Sequence, residues 1–269
     1  MNRYQEAFDR LKDRKEIAFI PFAVAGDPGL GISESIFKTY VDAGADILEI
    51  GYPFSDPIAD GPVNQRAALR AIAGGLHHEK FFKLVYGLRR YTDMPMGVLM
   101  YANSALHVGY ETFCKRAADA GVDGILVADM PPEEASGMLE AMRANHLHSV
   151  FIVSELTPPQ RMRRICDAIS GFVYVVSRLG TTGVQTDMDR NVKSTLARLR
   201  TVTSKPLCVG FGISTPGHVG HVGRAGAHGA IVGSALVKII ETNLNETKRM
   251  LSLLAKNVRQ LKEATRNGF

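Results

Sequence analysis

The chain has 269 residues, 45% hydrophobic and 22% charged, with a net charge of +5, ordinary for a globular protein and mild enough to suit an anionic, phosphorylated ligand. Cys114, Cys166 and Cys208 are odd in number and widely spaced, which excludes a disulfide framework or a cysteine metal site. No apolar run approaches the ~20 residues of a membrane span, and the polar start Met1-Asn2-Arg3-Tyr4 lacks a signal core. The expectation is a cytoplasmic protein with reduced thiols, bound neither to membrane nor to nucleic acid. The basic residues near the C-terminus accompany Leu251, Leu254, Val258 and Leu261 at helical spacing, the pattern of a solvated helix face.

Residues 2–14 read as a short amphipathic helix with Tyr4, Ala7, Phe8 and Leu11 on one face. Ile17 to Val24 is the first apolar strand, ended by Gly26-Asp27-Pro28, and a helix from Ser33 to Val41 stops at Gly44. Further strands follow at 45–50, 95–101, 123–128, 148–153, 172–176, 206–210 and 229–232. Between and after them lie helical patterns around 110–120, 132–145, 158–169, 189–201 and 215–225, a short helix opened by Ser234, and the C-terminal helix. Strands buried on both faces read as continuous apolar runs, as these do. Eight βα units in about 250 residues predict one domain, 1–269, folded as a (β/α)₈ barrel. The N-terminal helix and helices in the loop 2 and loop 8 regions are extra. A doubly wound open sheet would want a glycine fingerprint after the first strand, and Gly26-Asp27-Pro28-Gly29-Leu30-Gly31 has the wrong spacing.

The connections after strands 2 and 6 are the longest, and long loops at the C-terminal face of a barrel tend to be functional. Glu49 lies near the end of strand 2 and, by alternation with Leu48 and Ile50, points into the barrel. Burial there raises a carboxyl pKa and suits it to acid–base work, whereas a structural role would require a cationic partner that neighbouring strands do not offer. Asp60 lies in loop 2 before Gly61, where capping a turn and serving the site are both open. Asp27 and Asp56, each beside a proline, read as capping residues, and Asp129 is ambiguous. Glycines gather after strands 6, 7 and 8, at Gly180, Gly183, Gly210, Gly212 and Gly233, with Ser234 opening a helix, an arrangement that binds phosphate in many barrels. Tyr101 and Tyr174 sit at strands 3 and 6 as pocket walls or as core, and His77-His78 reads as surface.

The run Leu48-Glu-Ile-Gly-Tyr-Pro-Phe-Ser-Asp-Pro-Ile-Ala-Asp-Gly-Pro62 closely resembles the signature of the tryptophan synthase α subunit family. Matches extend through Pro21-Phe22, Met100-Tyr-Ala-Asn103, Gly121-Val-Asp-Gly124, Ser177-Arg-Leu-Gly-Thr-Thr-Gly183, Gly210-Phe-Gly-Ile-Ser214 and Gly233-Ser234. The resemblance implies retro-aldol cleavage of indole-3-glycerol phosphate to indole and glyceraldehyde 3-phosphate. It implies that Glu49 moves a proton at indole C3 and that Asp60 stabilises positive charge at the ring nitrogen. Phe22, Tyr101 and Tyr174 would line the indole pocket; Gly183, Gly212, Gly233 and Ser234 would hold phosphate; loop 6, with Thr182, would be a lid. It further implies a β subunit carrying pyridoxal phosphate (PLP), bound in an αββα complex around Pro53, Asp56, Pro57 and Asn103, with no cofactor in this chain. The chain departs from the family's usual pattern at Val24, Tyr52 and 154–157. A stand-alone indole-releasing lyase and a largely non-catalytic activating subunit are the alternatives.

Overall fold

The computed structural model describes residues 2–176 and 185–268. Eight parallel strands close into a barrel in chain order. They are β1 (Ala18–Val24), β2 (Leu48–Gly51), β3 (Met96–Met100), β4 (Gly124–Val127), β5 (His148–Ser154), β6 (Val173–Val176), β7 (Leu207–Gly210) and β8 (Gly229–Val232). Outside them run α1 (Arg3–Asp13), α2 (Leu30–Asp42), α3 (Pro62–Ala73), α4 (His78–Arg89), α5 (Ala102–Leu106) and α6 (Tyr110–Ala120). The remainder are α7 (Ser136–Ala144), α8 (Pro159–Ala168), α9 (Gln185–Arg200), α10 (Pro216–Arg224), α11 (Ser234–Glu241) and α12 (Thr247–Glu263). The expected extra helices are α1 at the start, α3 in the loop 2 region and α11–α12 after β8. The short α5 had no separate signal in the sequence. No described helix is long and apolar enough to cross a membrane.

The barrel forms because the strand residues are mostly apolar on both faces. β1, β2, β4, β7 and β8 are buried at every position. One face fills the barrel interior and the other meets the helices, so neither can be left to solvent. Register places Phe22 beside Glu49, Glu49 beside Gly97, and Gly97 beside Gly124. Helix α1 closes the N-terminal end: Tyr4, Phe8 and Leu11 are buried with interior residues Ile47, Leu126 and Phe172. Arg3 anchors that helix by pairing with Asp123 at 2.9 Å.

An ionic cluster joins the loop 2 helix to the helix after β8. Arg70 on α3 makes two hydrogen bonds to buried Asp27, at 2.8 and 3.0 Å. Glu241, at the end of α11, receives Arg66 at 2.6 Å, Lys238 at 2.7 Å and Arg70 at 3.4 Å. Asp27 is therefore ion-paired and structural, beyond simple capping.

The seat of Tyr4 is tight. A Cβ at Gly124 would stand 2.8 Å from Tyr4 Cε2 and 2.9 Å from the His148 carbonyl oxygen. Overpacking against a ring and a backbone atom costs roughly 1–3 kcal/mol. Gly124→Ala is expected to lose that much stability in urea unfolding; an unchanged midpoint would show that the barrel floor has slack.

Candidate active site

Glu49 occupies the second position of β2 and is 5% exposed. No cation acts on its carboxyl among the described residues, and burial, followed by the charge of Asp60, pushes its pKa up to about 8. Asp60 lies in the turn before α3. Its Oδ2 accepts the Tyr101 hydroxyl at 2.9 Å and its Oδ1 accepts Asn64 Nδ2 at 3.4 Å. Burial raises the Asp60 pKa above the ordinary carboxylate value, while these two hydrogen bonds act in the opposite direction.

Both carboxylates line one cavity of about 170 Å³ at the C-terminal end of the barrel. Phe22, Leu99, Tyr174 and Ile231 give it apolar walls, and Gly212, Gly233 and Ser234 also line it. Two glycines make room for the aromatic walls: a Cβ at Gly51 would lie 2.7 Å from Phe22, and one at Gly210 would lie 2.5 Å from the Tyr174 hydroxyl oxygen. Helix α11 begins at Ser234, with Gly233 as a cap that offers no side-chain acceptor, so its first N–H groups keep their capacity for an anion. A more open hollow of about 330 Å³ at the ends of β4 and β5 includes Asp129 and Arg161 but no second carboxylate. Asp129 instead accepts the Ala102 N–H at the start of α5. No group of three or more His, Cys, Asp or Glu that could hold a metal exists among the described residues.

Residues 8–266 match the family model for the tryptophan synthase alpha chain. The chain belongs to that family. The tryptophan synthase alpha chain of Methanothermobacter thermautotrophicus is 44% identical over 98% of this chain and 97% of its own. That of Escherichia coli O157:H7 is 41% identical over 99% of this chain and 100% of its own. A solved structure of tryptophan synthase subunit alpha from Legionella pneumophila aligns with a TM-score of 0.91 and 32% identity, covering 99% of each chain. The chain is accordingly a lyase of tryptophan biosynthesis.

Of the residues singled out in the sequence, the chain gathers Phe22, Glu49, Asp60, Tyr174, Gly212, Gly233 and Ser234 at one cavity. Tyr101 is not in the lining; it stands behind Asp60, stacks on Phe54 at 5.4 Å, and also accepts the Ala59 N–H at 3.0 Å. Thr182 and Gly183 lie outside the described residues. Pro53 and Pro57 are buried in the chain itself, whereas Asp56 and Asn103 are exposed alongside Ile58 and Leu106. His78 differs from its surface reading: it is half-buried, and its Nδ1 lies 2.9 Å from the Tyr52 hydroxyl. Sequence reasoning missed Asn64, Leu99, Phe211 and Ile231. Phe211 holds φ at 71°, unusual for a bulky residue and invisible in the sequence except through its flanking glycines.

The folded protein keeps a proton on Glu49 up to about pH 8, whereas the unfolded chain releases it near 4.5. The burial cost of Glu49 therefore grows as pH rises across that window. Glu49→Gln carries no such cost, so its gain in Tm over the natural chain should be small at pH 5 and larger at pH 8. Thermal unfolding at both values checks this, and an equal gain at each would contradict the buried, uncompensated carboxyl.

Proposed function

We propose that this cavity is where the lyase cleaves indole-3-glycerol phosphate to indole and glyceraldehyde 3-phosphate, with Glu49 as the proton-transfer group and Asp60 as the charge stabiliser. The observation that carries the reading is the meeting of two unlike carboxyls at one aromatic-walled cavity that also takes in the start of α11 at Gly233 and Ser234.

The bond between indole C3 and the glycerol side chain cannot break heterolytically while its electron pair has nowhere to go. Protonating C3 turns the ring into a cation that can take up that pair. Glu49, protonated up to about pH 8, has the proton to give. Asp60, held by two hydrogen-bond donors, supplies the negative charge that the ring nitrogen needs as the cation forms. The Glu49 carboxylate then takes the proton of the adjacent side-chain hydroxyl. The C–C pair returns to the ring, aromaticity is restored, and the aldehyde is released. The proton given to C3 stays on indole, the hydroxyl proton restores Glu49, and the two carboxyls keep distinct roles because their environments differ.

Phe22, Leu99 and Tyr174 enclose the indole ring, and Tyr101 supports Asp60 from behind. Gly212, Gly233 and Ser234 bind the phosphate at the α11 N-terminus; the family resemblance adds Gly183 to that role and gives loop 6, with Thr182, the role of a lid. The chain acts as one cytoplasmic domain. Its partner is a β subunit that holds PLP, in an αββα complex, and the exposed Asp56, Ile58, Asn103 and Leu106 offer the contact surface, with Pro53 and Pro57 shaping it from beneath.

The test is indole release from indole-3-glycerol phosphate. Glu49→Gln is expected to lose about two to four orders of magnitude in kcat, the span of positioned acid–base catalysis, while still binding substrate; turnover like that of the natural chain would remove Glu49 from the mechanism. Adding a tryptophan synthase β subunit should raise the rate of the natural chain. A rate unchanged at saturating partner would instead make the protein a stand-alone lyase.

A further inference from the structure

Asn64, in the first turn of α3, lines the cavity. Its Nδ2 faces Asp60 Oδ1 at 3.4 Å, while its own Oδ1 is buried without a hydrogen-bond partner. With Asp60 ionised, the opposite orientation of the amide would set a carbonyl oxygen against a carboxylate, so the N–H faces Asp60. A buried acceptor without a donor is destabilising, and an apolar side chain would avoid that penalty. The surroundings would accept one: Val63, Ala67, Ala68 and Ala71 of the same helix belong to an apolar cluster with Phe22, Val24 and Val237. Packing therefore does not explain an asparagine here.

The Asp60 carboxylate does explain it. Oδ2 is held by Tyr101, and Oδ1 has Asn64 as its side-chain donor. The titratable groups around Asp60 are the Tyr101 phenol behind it and the Glu49 carboxyl and Tyr174 phenol lining the same cavity. None of the described lining residues is a cation. The ionised form thus resists burial through two neutral donors, one of them Asn64.

We propose that Asn64 is a positioning residue for Asp60, its amide fixing the carboxylate edge and holding it ionised for the substrate ring. The proposal rests on the reading of Asp60 as charge stabiliser. A 3.4 Å contact is of the kind that shortens when substrate fills a site.

Asn64→Leu removes both the donor and the orphan acceptor; Asn64→Ala, which cannot clash, is carried in parallel. Two readouts are taken on the full chain. The first is the titration of the Asp60 carboxyl carbon by ¹³C NMR in the free protein. The second is the pH profile of kcat/KM for indole-3-glycerol phosphate. Losing a donor disfavours the ionised form, so the Asp60 midpoint and the acid limb should both move up, by about half to one pH unit. Turnover at pH values below the limb should fall three- to tenfold, with KM within about twofold. Tm should stay level or rise, whereas a purely structural asparagine would lower it. An unmoved Asp60 midpoint in both variants overturns the proposal. If the natural chain releases no indole, the functional reading falls and the NMR midpoint alone decides the Asn64–Asp60 contact. If the natural chain turns over, Asp60→Asn abolishes it, and neither Asn64 variant moves the limb, only the positioning role is lost.

Discussion

The proposed chemistry depends on a carboxyl buried in a closed barrel, with no cation acting on it among the described residues. Closing eight parallel strands packs the interior with side chains, and Glu49 stands among them in register with Phe22 and Gly97. In such a place the charged form is disfavoured, so the group keeps its proton far above the usual carboxylate range. The barrel tolerates this destabilising group because most of its other strand positions are apolar and its floor is closed by α1. The proton held there is the reagent of the proposed reaction.

A second carboxyl so close must differ, or the two would compete for the same proton. Loop 2 supplies the difference through Tyr101. One phenol oxygen donates to Asp60 and accepts from the Ala59 N–H, so it anchors the loop and the carboxylate together. Phe54 stacks on the same ring, and Tyr52, at the root of the loop, reaches His78 on α4. Loop 2 is thus attached at its root, its middle and its end, which is how a connecting segment can hold an acidic group with the accuracy of a strand.

How much of this was legible in the sequence follows from the range of each force. The strands were readable because burial on both faces is a local property that writes continuous apolar runs. Glu49 was readable because a carboxylate interrupting such a run is conspicuous. The glycines of the proposed phosphate site marked themselves by composition and by the serine that opens α11. Asn64 was not readable: an asparagine early in a helix is commonplace, and its meaning lies in the carboxylate it faces. Tyr101 was placed on the right strand but behind Asp60 instead of in the wall, since its position depends on how loop 2 folds back. His78 read as surface because its partner, Tyr52, lies 26 residues away. The separate helix α5 likewise follows a tertiary contact, the Asp129 carboxylate on the Ala102 N–H.

The cluster of Asp27, Arg66, Arg70 and Glu241 has a consequence for the shape of what the cavity can hold. Helix α3 carries Asp60 at its approach, and helix α11 carries Ser234 at its beginning. Charged groups outside the cavity bind these two helices to each other, and Asp27 ties them to the loop after β1. The relative placement of Asp60 and Ser234 is therefore held by side chains outside the cavity lining. The cavity is a caliper whose jaws are locked from behind, and on the proposed reading the length of the linker between the substrate's ring and its phosphate is what that caliper would gauge.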